Sequence, residues 1–280
     1  MALSLSKSLS ELPEYRHVLA NLVLRDLKVK YQLATLGFLW SLLYPALLLG
    51  IYFIIFSRVV KFGQMFPRYW ALLLSAMIAF QFIQGAIVDG MYSIRKNSTI
   101  IRKVYVPMEI LVIAGVTVKL VEFLLQLLIV FVLLAALHHG GAVANFSLGK
   151  SLVVLPGAIL LAYIFVLGVA LPLAAMAVIY RDLDHIINLA LLASFYVTPV
   201  FWAMQVIKDS KWLPLFAANP MADMIELFRG PLYWGRWPEN LAVGGSPLAT
   251  WGICIFFSFG ALVVGHMIFN RFKLLLAEVV

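Results

Sequence analysis

Six stretches of this chain run for 20 residues or more without an Asp, Glu, Lys or Arg. They lie between Lys30 and Arg58, Arg68 and Asp89, Glu122 and Lys150, Lys150 and Arg181, Asp184 and Lys208, and Glu239 and Arg271. A helix needs about 20 mostly apolar residues to cross the hydrocarbon of a bilayer. Inside lipid the backbone must satisfy its own hydrogen bonds, which favours helices. Soluble domains carry about 25% charged residues; this chain has 12%, with 64% hydrophobic residues and a mean hydropathy of +1.00. The sequence therefore predicts an all-α membrane protein with six transmembrane helices, near 37–60, 69–93, 106–137, 151–179, 186–206 and 248–270, followed by a tail at 271–280.

Six spans put both termini on one face. Of the 21 Lys and Arg residues, 12 then fall on the side of the termini and 8 on the other. Cations collect on the cytoplasmic side of short loops, so cytoplasmic N- and C-termini are expected. The segment RKNSTIIRKVYVP, residues 95–107, puts Arg95, Lys96, Arg102 and Lys103 between spans two and three and ends on Pro107. With such a topology the net charge of +8 reads as loop charge, not as a nucleic-acid surface. The first long apolar run begins only near Gly37, so no cleaved leader is expected. Residues 1–36 read as a cytoplasmic amphipathic helix region lying along the membrane. Its stripe is Tyr15, Val18, Leu22, Val29 and Leu33, interleaved with Arg16, Arg25, Lys28 and Lys30; a solvated arm is the alternative. Between spans five and six, Asn219 reads as an N-cap, Pro220 as the first helical residue and Gly230-Pro231 as a stop. Met221, Met224, Ile225 and Phe228 would face the outer leaflet from this short re-entrant helix.

Several motifs were weighed for chemistry. Ser147-Leu148-Gly149-Lys150-Ser151 resembles the end of a phosphate-binding loop, but the required glycine is replaced by Ala144, so no nucleotide site is expected. Cys254 stands alone, which excludes an internal disulfide. Asp182, Asp184 and His185 either hold a divalent cation or belong to a turn whose acids cap the next helix; the capping reading is favoured, and no metal is expected. The acceptor patterns at Asn97 and Asn145 are read as chance. Lys119 and Glu122 stand one turn apart inside the third span, where charge is costly. They form either an ion pair that eases insertion or a polar seam on a translocation path, with Gln126 on the same face. Glu109 and Asp89 are expected at the interface. Trp40, Tyr44, Tyr52 and Phe56 form a row along the first span, and Phe195 and Tyr196, with Phe201 and Trp202, a second along the fifth. Aromatic faces suit the C–H faces of sugar rings; ordinary packing is the alternative.

Arg25-Asp26-Leu27-Lys28 with Tyr31, then Leu36-Gly37-Phe38-Leu39-Trp40 and Pro45, resembles the opening signature of ABC-2 type permeases, in the branch that exports lipid-linked polysaccharides such as O-antigen, capsule and teichoic acid. The segment RKNSTIIRKVYVPMEIL, Tyr180-Arg181-Asp182-Leu183, Phe195-Tyr196-Val197-Thr198-Pro199-Val200 and Asn219-Pro220 with Arg229 and Gly230 resemble its later blocks, in order. Thr198 departs from the small residue expected there. The resemblance implies a permease subunit of the bacterial cytoplasmic membrane, working as a homodimer with two copies of a P-loop ATPase. ATP and Mg would be bound there, and no cofactor by this chain. It implies that the N-terminal helix and the loop with Arg95, Lys96, Arg102, Lys103 and Pro107 contact the ATPase. The substrate would be a glycan on undecaprenyl diphosphate, for whose head group Arg16, Arg25, Lys28 and Lys30 are candidates by charge. An exporter of a drug or small lipid is one alternative. A membrane enzyme acting on a polyprenyl lipid through Asp182 and Asp184 is another.

Overall fold

A computed structural model describes residues 15–32, 39–103, 106–139, 148–207, 209–238 and 246–279. Residues 1–14, Leu33, Leu36-Gly37-Phe38, Val104 and Tyr105 of the cationic loop, Asn145-Phe146-Ser147 and Lys208 lie outside the described residues. Among the described residues every regular element is helical: α1 (Arg16–Gln32), α2 (Leu39–Ile54, extended by a π turn over Ile55–Val59), α3 (Phe62–Met65), α4 (Tyr69–Lys96), α5 (Ser98–Ile101), α6 (Met108–His139), α7 (Leu148–Ile179), α8 (Leu183–Val197), α9 (Leu213–Ala217), α10 (Pro220–Arg229) and α11 (Pro247–Val279).

Four helices, α4, α6, α7 and α11, are long and apolar enough to cross a membrane, which makes this a multi-pass membrane protein. At about 1.5 Å per residue, the 28 residues of α4 reach well beyond the roughly 30 Å of hydrocarbon. The apolar helix α2 with its π turn corresponds to the expected first span. The expected fifth span, 186–206, is different. Helix α8 stops at Val197 after 15 residues. Pro199 cannot donate a backbone hydrogen bond and disfavours helical backbone in the residue before it; Thr198 is accordingly extended. Residues 204–207 then form one 3₁₀ turn. The last helix does not end near 270 but continues to Val279, so the expected tail is helical.

The core is centred on α4, whose residues from Ala71 to Ile94 are mostly buried, packed between α6 and α7. Helix α7 runs along α11. The two approach closely because Gly168 faces the Ala261–Leu262 backbone and Gly265 faces the carbonyl of Gly168; small residues let backbones meet in this way. Ser258 of α11 adds a hydrogen bond, its Oγ donating to the Leu161 carbonyl at 3.0 Å.

Helix α10 starts where the sequence places it, but Gly230-Pro231 does not stop the chain: the helical backbone runs on as a π turn over Gly230–Trp234 and ends at Gly235, which is left-handed. Asn219 caps it by accepting from the Met221 N–H at 3.0 Å, Pro220 is the first helical residue and Arg229 the last. The single apolar stripe is a correction: Ala222 to Arg229 are all buried, because α10 is seated among α4, α7 and α11. Asn219 also donates to the Thr198 hydroxyl at 2.9 Å. A hydroxyl at position 198 thus ties the end of α8 to the start of α10.

Helix α1 packs on α6. Leu22 and Val23 are buried with Ile110, Leu111, Ala114 and Val118, and Val18, Leu19 and Leu27 support them. Val29 of the expected stripe is instead exposed. The stripe is displaced because α1 meets a protein helix, so residues three and four apart on one narrower face are selected.

A charged seam between four helices

Lys119 and Glu122 project from one face of α6 into a space bounded by α1, α2 and α4. Glu122 is 5% exposed. One of its oxygens accepts from Lys30 Nζ at 2.6 Å and from the Tyr31 hydroxyl at 2.8 Å; the other accepts from Lys119 Nζ at 3.2 Å. Lys119 Nζ also lies 3.6 Å from an Asp89 oxygen. The result is an alternating row, Lys30, Glu122, Lys119, Asp89. Charge in a span survives by pairing or by facing a wet cavity; these charges are paired and also line a cavity. The row lines a cavity of about 660 Å³ with Trp40, Tyr44, Gln81, Gln84 and Gln126. A second cavity of about 330 Å³ shares Lys30 and Asp89 and is walled by Asp26, Lys96 and Asn97.

Around this second cavity α1 is latched to the end of α4. Arg25 donates to Asp26 at 2.7 Å and to the Asn97 side-chain oxygen at 2.6 Å, and Lys96 donates to the other Asp26 oxygen at 2.9 Å. Burial works against the charged form of Asp26, yet the hydrogen bonds from Lys96 and Arg25 outweigh it and hold this carboxyl below the ordinary aspartate range. Because the folded value is depressed, the latch is complete above the ordinary range, at about 4, and is lost as pH falls through the lower folded value. Spin labels placed by Ala20→Cys and Ser98→Cys, with Cys254→Ala, are expected to report one short distance at neutral pH and a broadened, longer distribution only below about pH 4. An unchanged distribution down to pH 2.5 would show that the latch does not hold α1.

The loop cations divide into two pairs. Arg95 binds both oxygens of Asp184 at 2.9 and 2.7 Å and Lys96 is in the latch, whereas Arg102 and Lys103 are exposed. Pro107 directly precedes α6 and its carbonyl accepts from the Ile110 N–H at 3.0 Å. The N-terminal cations divide likewise: Arg25 and Lys30 are engaged by internal acids, while Arg16 and Lys28 are exposed. The Asp182–Asp184 turn is corrected. Asp182 occupies the N-cap position of α8, but its side chain makes no cap hydrogen bond; Asp184 is drawn to Arg95 instead. Glu109 is corrected too. It is 7% exposed and accepts from Lys273 Nζ at 2.6 Å, because the helical extension of α11 carries that lysine to the start of α6. Among the described residues no three His, Cys, Asp or Glu side chains converge as a metal site would require.

The two aromatic rows meet without forming one continuous track. Phe201 stacks on Phe56 with centroids 4.2 Å apart and meets Tyr52 at 5.0 Å and Phe195 at 4.7 Å. Tyr196 adjoins Phe195 and is itself 60% exposed. Trp40 and Tyr44 are separate from this cluster and line the charged cavity. Sequence reasoning missed Gln81, Gln84 and Asn97. A signal was present for the first two: amides three residues apart in an apolar span, on the helical face that also carries Asp89.

The comparisons decide what kind of protein holds this seam. The family model described as ABC-2 type transporter matches residues 18–233. The chain belongs to the ABC-2 type transporter family. Its relatives include a protein named O-antigen export system permease protein RfbA from Klebsiella pneumoniae, 28% identical over 91% of this chain and 92% of the relative. One of the same name from Myxococcus xanthus is 30% identical over 82% of this chain and 85% of the relative. A further Klebsiella pneumoniae protein of that name is 26% identical over the full length of both. These ABC-2 relatives are permeases, transport subunits rather than enzymes, and membership implies an ABC transporter with an ATPase partner. The matched range includes the latch, the seam, the aromatic cluster and α10.

Proposed function

We propose that this ABC-2 protein is the permease subunit of an ABC transporter that exports an undecaprenyl-diphosphate-linked polysaccharide, such as O-antigen, across the bacterial inner membrane. The observation that carries the reading is the likeness to three O-antigen export permeases along 82% to 100% of the chain. The charged, aromatic-edged cavity among apolar helices supports it, since Asp89, Lys119 and Glu122 stand within long apolar helices, where charge is costly and marks a pathway. In this reading α2 and α8 are the first and fifth of six spans, and two copies of the chain pair with two copies of the ATPase. The termini, α1 and the 95–107 loop face the cytoplasm. Arg102 and Lys103, exposed beside the latch, offer the ATPase a contact; Arg16 and Lys28 remain to attract the diphosphate head group.

Deleting the coding sequence is expected to remove the glycan from the cell surface and to accumulate its lipid-linked form inside, read by gel electrophoresis of surface polysaccharide and by lipid extraction. The wild-type chain is expected to restore export, and Arg102→Glu combined with Lys103→Glu to lower both restoration and recovery of the ATPase in a pull-down. Surface glycan unaffected by the deletion would overturn the reading. Normal export and pull-down by the charge-reversed chain would overturn the docking role of the two cations.

A further inference from the structure

The cavity beside the charged seam has the makings of a ligand site, and its charge identifies the class of ligand. Its volume of about 660 Å³ lies within the roughly 300–1,000 Å³ of small-molecule sites. Its charged lining residues are Lys30, Lys119, Asp89 and Glu122, two cations against two anions, so it has no net formal charge. A diphosphate would have to compete with Glu122 for Lys30, Tyr31 and Lys119, which already donate to it. The unspent groups are different in kind. Gln81 and Gln84 are partly exposed and line the cavity, and their side-chain amides have no hydrogen-bond partner among the described residues. A primary amide left without partners in an apolar surrounding costs free energy, so these amides serve a hydrated or ligand-filled space. Trp40 and Tyr44, 48% and 62% exposed, close the α2 side with aromatic faces. Donor and acceptor amides, a carboxylate and flat aromatic faces around a charge-balanced cleft match a polyhydroxylated ring.

From this we infer that the cleft between α1, α2, α4 and α6 is a sugar subsite, in which Gln81, Gln84 and Asp89 hydrogen-bond ring hydroxyls and Trp40 and Tyr44 lie on ring faces. The inference rests on the export reading for the identity of the polymer. Through Lys30 and Asp89 the cleft adjoins the second cavity, at the end of the bundle that carries the cationic loop and α1. It therefore takes the sugars adjacent to the lipid anchor while the phosphates stay outside with the exposed cations. The latched helix α1, through Lys30 and Tyr31, forms one wall, so occupancy of the subsite and the position of α1 are linked.

The test uses the full-length chain in lipid nanodiscs and its tryptophan emission. The probe is the oligosaccharide released by mild acid from the surface polysaccharide of the source strain; inorganic pyrophosphate is the head-group control. The oligosaccharide is expected to change the emission saturably, Trp40→Phe to remove most of that signal, and Gln84→Leu and Tyr44→Ala each to weaken binding roughly tenfold. Pyrophosphate is expected to give no saturable change. Tyr44 is largely exposed, so Tyr44→Ala keeps the test decisive if Gln84→Leu fails to assemble. Saturation by pyrophosphate, no oligosaccharide binding, or binding unaltered by Tyr44→Ala would each overturn the subsite. If wild type restores export while the oligosaccharide does not bind, the subsite alone falls. If deletion leaves surface glycan intact, the export reading falls independently of this cleft.

Discussion

Arg229→Met is expected to lower the stability of the detergent-solubilised protein by about 3–5 kcal/mol, the cost of dismantling a buried charge network. Arg229 is fully buried. Its guanidinium donates to the carbonyls of Pro199 and Val200 and lies 3.5 Å from Glu226. Those carbonyls belong to the turn that begins where α8 breaks, so no continuing helix is there to receive them. Methionine fills comparable volume but donates nothing, and two buried acceptors are stranded. Arg229→Lys is expected to recover only part of the loss, because one ammonium cannot reproduce a planar group that reaches the two carbonyls through Nη2 and Glu226 through Nη1. Thermal unfolding followed by size-exclusion chromatography measures both. A melting profile of Arg229→Met that overlays wild type would show that the turn is held by other contacts.

The second large effect is expected at the α7–α11 contact. Any Cβ at Gly168 falls on the backbone of Ala261 and Leu262, and backbone inside a helix cannot move aside as a flexible side chain does. Overpacking costs about 1–3 kcal/mol where side chains can adjust, so Gly168→Leu is expected to exceed that and to separate the two helices. Gly260→Leu on α11 is the control: nothing lies within 4 Å of its Cβ, and the substitution is expected to be nearly neutral. The yield of monodisperse protein after extraction distinguishes them. Equal yields would mean that the glycine contact is not what brings α7 and α11 together.

Both sites illustrate why parts of this protein were legible and others were not. The start of α10 could be read because Asn219 and Pro220 act locally, through one cap and one backbone restriction; its end could not, because Gly230 stays in right-handed helical backbone and a π turn carries the chain to Gly235. The Lys119–Glu122 pair could be read because both residues sit one turn apart on one helix. Lys30 as a second cation on Glu122, 92 residues away, could not, because no local rule links α1 to the middle of α6. The same holds for Arg95 with Asp184 and Lys273 with Glu109. The break of α8 after Val197 was signalled by Pro199, but the run from 185 to 207 without Asp, Glu, Lys or Arg obscured it. Hydropathy responds to transfer energy and not to backbone donors.

By itself the sequence determined the environment, the helical class and the ends of several helices, since these follow from transfer free energy, backbone satisfaction and local capping. Only the tertiary structure decided which charges meet. Lys30 and Lys96 look interchangeable in the sequence with Arg102 and Lys28 as cations on one face, yet Lys30 is bound to Glu122 and Lys96 to Asp26 while the other two face outward. A lysine has no preferred long-range partner along the chain; the seating of α1 against α6 and the end of α4 selects one by placing it within about 3 Å, where Coulomb attraction offsets desolvation.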